Sequence, residues 1–130
     1  MTDEDPREAL ARATRNLKHF TADVTTTRDE DGLRVSLSGY LDGDSANSVI
    51  TPLSSLVMGW SGAPKLVVDL SKLEYISSLG IGMLTTIAVS AHRRSIALTL
   101  CAPQPSVLHV LELLGIPRYI PVVMDEKGCP

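Results

Sequence analysis

The chain has 130 residues, of which 44% are hydrophobic and 21% charged, as in one ordinary globular domain. A net charge of −3 and the lack of a lysine- or arginine-rich tract argue against a nucleic-acid-binding protein. The acidic N-terminus has no apolar stretch typical of a secretory signal, and the longest uncharged stretch, residues 75–91, is too short and too polar to span a membrane. Cys101 and Cys129 have no metal-ligand spacing and make no disulfide framework, so a reduced, cytoplasmic protein is expected.

The N-terminal part of the chain predicts a helix followed by a β-hairpin. Asp5 and Pro6 suit the N-cap and the first position of a short surface helix within an N-terminal extension, residues 1–18. The threonine-rich residues 20–27 and the alternating residues 33–38 favour two strands, joined by an acidic turn that ends in glycine. The N-terminal helix, which precedes this hairpin, would present one apolar face made of Leu10, Ala13 and Leu17.

A helix is predicted after this hairpin, with Asp44 or Ser45 as its cap. Pro52 lies inside the apolar pattern of that helix. The helix therefore either kinks at the proline or restarts there with Thr51 as a new cap.

The central stretch begins with a continuous apolar run that suits a buried strand over residues 65–70, closed by Asp69. A short loop over residues 71–76 is expected next. The following helix begins near Ser77 and Ser78 and ends in a basic turn at residues 92–94, where cations suit the helix dipole.

The C-terminal part predicts a strand over residues 96–100, a helix from residue 105, and a last strand over residues 119–123. Gly115 suits the position just after that helix, and Pro117 prevents its continuation. Residues 125–130 are expected to form a tail. The helix that begins at residue 105 would have an apolar face made of Val107, Leu111 and Leu114.

These elements together predict an α/β fold: a mixed, mostly parallel sheet of about five strands with helices packed against it, plus the N-terminal helical extension. One domain would cover residues 19–124. A buried strand that leads into a helix through a serine-rich turn places hydroxyl and free backbone N–H groups at the carboxyl edge of the sheet. Ligand and partner binding tends to occur at this edge.

Motifs for catalysis or cofactor binding are absent from the sequence. There is no phosphate-binding P-loop, and Gly80 and Gly82 lack the third glycine of a dinucleotide fingerprint. The three histidines, His19, His92 and His109, have no metal-binding spacing. Ser78, His109 and Asp42 could be combined into a triad only by choosing freely, since the nucleophile-elbow motif is missing. No enzyme activity, cofactor or metal is therefore expected.

The remaining chemical feature is a hydroxyl group at a helix N-terminus. The first N–H groups of a helix have no partners within it and carry about half a positive charge, so a phosphate is stabilised there. Either Ser77 or Ser78 could simply cap the helix. Phosphorylation of one of them would instead add about −1.5 to −2 of charge to the surface without unfolding the domain.

The same stretch resembles an STAS domain, the module of bacterial anti-sigma factor antagonists and of sulfate-transporter tails. The resemblance covers about residues 20–123. It includes an apolar strand ending in Asp-Leu-Ser, an apolar pair before the serines, and a Gly-x-Gly turn that opens a helix. The matching residues are Val68-Asp69-Leu70-Ser71, Tyr75-Ile76 and Gly80-Ile81-Gly82, together with Gly39-Tyr40-Leu41-Asp42 and the 107–116 helix.

By this resemblance the phosphorylated serine of the family falls on Ser78, with Ser77 as the alternative acceptor. Ser77 stands where the family pattern has Asp, and Leu79 stands where it has a small hydroxyl residue. Tyr40 replaces an acidic residue of the family pattern. The resemblance implies a partner-binding surface made of Tyr40, Asp42, Ser77, Ser78, Leu79, Gly80, Ile81 and Gly82.

The resemblance implies an anti-sigma factor antagonist that binds an anti-sigma factor serine kinase, is phosphorylated by it, and is reset by a phosphatase. No nucleic acid or direct membrane insertion is implied, and a homodimer is left open. A second hypothesis is a constitutive STAS scaffold or transporter-associated subunit that is never phosphorylated. A third, a small hydrolase or transferase that uses Ser78, has little support in the sequence.

Overall fold

The computed structural model describes residues 6–15, 17–27, 32–59 and 65–130. Two short 3-10 helices, Ile116–Arg118 and Glu126–Gly128, accompany the main elements. In chain order the main elements are α1 (Pro6–Arg15), β1 (Phe20–Thr26), β2 (Gly32–Leu41), α2 (Gly43–Gly59), β3 (Lys65–Ile76), α3 (Ser78–Arg93), β4 (Ala97–Cys101), α4 (Pro105–Leu113) and β5 (Val122–Val123).

The strands form one five-stranded sheet in the order β1-β2-β3-β4-β5. β1 and β2 pair antiparallel as a hairpin, and the other neighbouring strands pair in parallel. The turn predicted at residues 29–32 lies mostly outside the described residues. The α/β fold with a mixed, mostly parallel sheet is therefore confirmed.

The core lies between the apolar face of this sheet and the helices. In β2, Leu33, Val35 and Leu37 alternate with less buried residues and are at most 2% exposed, as period-2 patterning requires. Each buried leucine or valine of this kind stabilises the fold by about 1.5–3 kcal/mol relative to an exposed one. Helices α2 and α3 contribute Val49 and Ile87 to the same cluster.

The N-terminal helix is part of this core on one face. Leu10 is 1% exposed, and Ala13 and Leu17 pack against the core cluster, although Leu17 follows the end of α1. Contacts join α1 to both α2 and β1. The helix is therefore anchored to the sheet domain by its apolar stripe; Asp5, its predicted cap, lies outside the described residues.

The loop predicted over residues 71–76 is wrong, because β3 continues to Ile76. The parallel neighbour β2 is long enough to pair with this extension, through register shifts between Ser36 and Ser38 and between Gly39 and Tyr40. Leu73 is fully buried within it. The predicted last strand, in contrast, is shortened to Val122–Val123.

Helix α2 runs continuously through Pro52, so the restart at Thr51, one of the two alternatives left open by the sequence, does not occur. Helix α4 buries Val107 and Leu111 as predicted, but Leu114 follows the end of the helix and is 54% exposed. Gly115 adopts the left-handed conformation expected just after a helix, with φ of 70°.

The expectation that the two cysteines stay reduced is wrong in this structure, because a disulfide joins Cys101 to Cys129. Both residues are buried and pack with Val67 and Val123. The predicted tail instead folds back through the second 3-10 helix and brings Cys129 to the end of β4. Disulfides are more typical of oxidising compartments, and in the cytosol they are usually transient.

Arg34 and Asp69 form an ion pair across the adjacent strands β2 and β3, with Nη2 and Oδ2 2.8 Å apart. Asp69 Oδ1 also accepts a hydrogen bond from the Ser71 N–H at 2.9 Å. Burial alone would raise the pKa of Asp69, but the hydrogen bonds from Ser71 and the charge of Arg34 outweigh it, and the pKa lies below its usual value. Asp69 thus links β3 to β2 through a partly buried ion pair, and β3 continues beyond it to Ile76.

Helices that could cross a bilayer are not found among residues 6–15, 17–27, 32–59 and 65–130.

We expect the replacement Cys129→Ser to lower the free energy of unfolding by about 3 kcal/mol, because the disulfide closes a loop with a sequence separation of 28. Urea denaturation of the oxidised protein, with and without a dithiol reductant, measures this loss. The reductant should shift the midpoint of the parent protein and leave that of the variant unchanged. Equal midpoints for the oxidised parent and the variant would contradict the prediction.

We expect Asp69→Asn to lower stability at neutral pH by about 1–3 kcal/mol, because it breaks a partly buried ion pair. The lowered pKa of Asp69 means that its contribution is fully present above the unfolded pKa of about 3.9 and is lost as pH falls through the folded pKa. The parent should therefore lose stability in acid more steeply than the variant. Asp23→Asn, at an exposed site on β1, is the control.

Candidate functional site

The polar residues singled out by the sequence meet at the carboxyl ends of β2 and β3. Leu41 and Ile76 are register partners at the ends of these parallel strands, and the Ser77 N–H donates to the Leu41 carbonyl at 2.9 Å. Helix α2 begins at Gly43 and α3 at Ser78. Two helix N-termini therefore lie side by side at one edge of the sheet.

At the first of these N-termini, Asp42 and Ser45 cap each other. The Ser45 N–H donates to Asp42 Oδ1 at 3.0 Å, and the Asp42 N–H donates to Ser45 Oγ at 2.9 Å. Asp42 is therefore the cap, and the prediction of Asp44 or Ser45 in that role is wrong by two or three positions. The hydrogen bonds from the Ser45 backbone and hydroxyl hold the pKa of Asp42 below its usual value, so it presents a carboxylate at the surface.

At the second N-terminus the two serines have different roles. Ser77 is the N-cap: it has extended backbone, and its Oγ accepts a hydrogen bond from the Gly80 N–H at 3.2 Å. Its carbonyl accepts from the Ile81 N–H. Ser78 is the first helical residue, is exposed, and makes no side-chain hydrogen bond with any described residue. The alternative left open by the sequence is thereby decided: Ser77 caps the helix.

Free donors accompany the Ser78 hydroxyl. In the described part of the chain, the amides of Ser78 and Leu79 have no hydrogen-bond acceptor, as expected for the first turn of a helix. These N–H groups lie at the positive end of the α3 dipole. The local geometry can therefore stabilise an anion attached to Ser78.

Exposed apolar and aromatic side chains lie at the same strand ends as this hydroxyl. Leu79 is 57% exposed, and Tyr40 and Tyr75 are each 47% exposed with ring centroids 6.0 Å apart. Gly82 is also exposed on α3. We name this region the strand-end surface; it comprises Tyr40, Asp42, Tyr75, Ser78, Leu79 and Gly82.

Gly80 and Ile81, which the resemblance placed in the partner-binding surface, are buried and so are not included in the strand-end surface. Ile81 is 6% exposed and joins the main core. A Cβ on Gly80 would lie 2.9 Å from the Leu41 carbonyl oxygen and 2.8 Å from Ile76 Cγ1. Gly80 therefore lets the start of α3 approach the end of β2, which is a structural role.

Tyr75 belongs to the strand-end surface and His19 borders it, and the sequence interpretation assigned neither residue to the site. His19 contacts the Tyr40 ring edge to face, with centroids 6.3 Å apart, and its carbonyl accepts from the Tyr40 N–H at 2.7 Å. Gly39, with φ of 93°, leaves room for this carbonyl. The pairing of Tyr40 with Tyr75 follows from the strand register, which local patterns cannot reveal.

The structure adds no support for catalysis at this edge. Ser78 forms no hydrogen bond to His109 or Asp42, which the imagined triad would need. Within the described ranges, no three histidine, cysteine, aspartate or glutamate side chains are grouped so that they could hold a metal ion.

Comparisons with known proteins agree with this architecture. A family model of the STAS domain matches residues 23–128. BtrV of Bordetella bronchiseptica, provisionally named an anti-sigma factor antagonist, is 30% identical over 99 residues, which cover 75% of this chain and 84% of BtrV.

Solved structures show the same fold. An anti-sigma factor antagonist from Mycobacterium paratuberculosis has a TM-score of 0.70 at 23% identity, covering 83% of this chain and 88% of that chain. The Bacillus cell fate determinant SpoIIAA, in its phosphorylated form, has a TM-score of 0.62 at 16% identity, covering 84% of this chain and 95% of its own. The chain belongs to the STAS domain family.

The two glycines of α3 should respond oppositely to alanine. We expect Gly80→Ala to lower stability by about 1–3 kcal/mol, because its Cβ would collide with the Leu41 backbone. Gly82→Ala should raise stability by about 1 kcal/mol, because nothing lies within 4 Å of its Cβ and alanine favours the helix. Urea denaturation of both variants tests the pair; destabilisation of equal size would contradict the assignment of Gly80 as the closely packed glycine.

Proposed function

We propose that this protein is an anti-sigma factor antagonist that binds an anti-sigma factor through the strand-end surface and is released by phosphorylation of Ser78. The proposal is supported by the family membership and by the name of its 30% identical relative BtrV. The observation that carries it is the position of Ser78: its hydroxyl is exposed and is not needed to cap α3.

Phosphate on Ser78 is compatible with the folded domain. The amides at the start of α3 offer unused donors, and the helix dipole favours negative charge there. Ser77 retains its capping hydrogen bond to the Gly80 N–H, so the helix keeps its start. Phosphorylation would therefore change the surface and not the fold.

The same phosphate would oppose the binding of a partner. The strand-end surface combines Leu79 and two tyrosine rings with the Asp42 carboxylate. A partner that packs on these apolar groups would have to desolvate an added charge of about −1.5 to −2. The Asp42 carboxylate is part of the same surface, so the phosphate would add to negative charge already present there, and the cost of desolvating it would weaken the interaction.

The partner would be an anti-sigma factor that is also a serine kinase, which would transfer phosphate from ATP to Ser78 and so end its own inhibition. A phosphatase would restore the binding form. The phosphorylated structure of SpoIIAA is consistent with this cycle, since that protein shares the fold. Action on sigma factors would place the protein in the bacterial cytoplasm, where reductants would act on the Cys101–Cys129 disulfide.

A constitutive STAS scaffold or transporter-associated subunit is the second candidate. It is favoured by Leu79, an exposed apolar residue where the family pattern has a hydroxyl, and by Ser77 in place of the family's Asp. Both substitutions make the site less like the expected kinase substrate. In this case Ser78→Asp and Ser78→Ala should affect partner binding alike.

Phosphorylation is tested first by intact mass after incubation with ATP and the candidate kinase, followed by peptide mapping. We expect one phosphate on Ser78 and none in Ser78→Ala. Ser77→Ala should still be phosphorylated, while losing about 1 kcal/mol of stability with its cap. No phosphate on the parent, with the kinase active on another substrate, would overturn phosphorylation control.

Binding is tested by titrating the anti-sigma factor with each variant. We expect Ser78→Asp to weaken binding at least about tenfold, which is about 1.4 kcal/mol, while Ser78→Ala stays near the parent. Thr86→Asp adds the same charge at an exposed site two turns further along α3 and should have little effect. Equal affinity of Ser78→Asp and the parent would remove Ser78 from the interface and leave the scaffold hypothesis.

A further inference from the structure

A groove of about 380 Å³ lies between the second half of α3 and the segment 116–120, at the opposite end of the helix from Ser78. Its size falls within the range of small-molecule sites. The function proposed above makes no use of it. The principal lining residues are Ala88, Val89, His92, Arg93, Ile116 and Ile120.

The groove exists because α3 carries a second apolar stripe besides its core face. The core face buries Leu84, Ile87 and Ala91. The second stripe contains Ala88 and Val89, which is 47% exposed, and continues at helical spacing to the basic end of α3. Ala88 packs against the core, and Ile116 and Ile120 across the groove are only 8% and 3% exposed. The accessible apolar surface of the groove is therefore mainly that of Val89 and the Tyr119 ring.

Arg93 carries the charge at the end of the groove, and His92 lies next to it. Among the described residues, the Tyr119 phenol is the other ionisable group that lines the groove, and no carboxylate does. Neither His92 nor Arg93 forms an ion pair or a side-chain hydrogen bond within the described ranges. Arg93 is thus a cation without a described ion-pair partner, in a chain with a net charge of −3.

The side chains of His92 and Arg93 do not cap α3. The Ala91 carbonyl accepts the N–H groups of Arg94 and Ile96, at 3.1 and 2.8 Å, and the His92 carbonyl accepts the Ser95 N–H at 3.0 Å. Backbone donors thus satisfy two carbonyls of the last turn, a role that basic side chains often have. The Arg93 guanidinium makes no such contact with the described residues and is available to an external anion.

We propose that this groove binds a small amphipathic carboxylate, with a hydrocarbon chain along Val89 and Tyr119, above the mostly buried Ile116 and Ile120, and the carboxylate against His92 and Arg93. The apolar floor and the cationic end match the two halves of such a ligand. The site is independent of Ser78 and of the partner proposed above.

The dimensions favour a single small molecule over a docked protein segment. At 1.5 Å per residue, the stripe from residue 85 to residue 93 is about 12 Å long. A helix is about 10–12 Å across with its side chains, so only its edge would enter a groove of this volume. A single acyl chain fits within it, and Tyr119, 82% exposed, stands at its rim.

Octanoate is the probe for this proposal, titrated below its micelle concentration into the full chain. Calorimetry and amide NMR shifts report binding. We expect saturable one-to-one binding, with shifts concentrated at the second half of α3 and residues 116–120. Octanol, which has the same chain without the charge, should bind at least about tenfold more weakly, because its neutral hydroxyl cannot form the bidentate ion pair that a carboxylate forms with the Arg93 guanidinium.

Arg93→Gln should weaken octanoate binding about tenfold or more and leave octanol binding unchanged. Arg94→Gln, which removes a neighbouring exposed charge outside the groove lining, is the matched control and should bind octanoate as the parent does. Equal loss in both arginine variants would overturn the proposed site, as would equal binding of octanoate and octanol. Absent or non-saturable octanoate binding, with binding of an acidic amphipathic peptide instead, would reassign the groove to a protein partner.

Discussion

The parallel pairing of β2 with β3 up to Leu41 and Ile76 determines the rest of the candidate site. Because the Ser77 N–H donates to the Leu41 carbonyl, the chain leaves both strands at the same height and both following helices start there. Neither helix could be moved without breaking this contact or the packing around Gly80. The exposed Ser78 hydroxyl, the Asp42 carboxylate and the tyrosine pair thus share one rigid edge.

Adjacent residues at this edge differ in whether the fold uses their side chains. Ser77 uses its hydroxyl for the helix cap, and Gly80 removes the Cβ that would collide with Leu41. These two structural tasks leave Ser78 and Leu79 outside the packing. A surface residue can be modified without destabilising the fold only when its side chain is neither packed nor hydrogen-bonded within the protein. Ser78 meets this condition among the described residues.

Local patterns predicted the features that depend on neighbouring residues. The hairpin strands, the buried run after Lys65 and the start of α3 are of this kind. The extension of β3 to Ile76 was missed because its polar residues are stabilised by pairing with β2, which is far away in the sequence. The disulfide was missed because the spacing of two cysteines does not show whether they are close in the folded chain. The burial of Ile81 could have been predicted, because its three-residue spacing to Leu84 places both side chains on one face of α3. The family resemblance instead placed Ile81 in the partner-binding surface.

The two ends of α3 can be considered separately on electrostatic grounds. The helix has 16 residues and is therefore about 24 Å long, while the screening length at physiological salt is about 8 Å. A phosphate on Ser78 and a carboxylate near Arg93 would hardly sense each other's charge. Any coupling between partner binding and the groove would have to be mechanical, through a shift of α3 along the sheet. The close approach of Gly80 to Leu41 opposes such a shift, so the two sites should act independently.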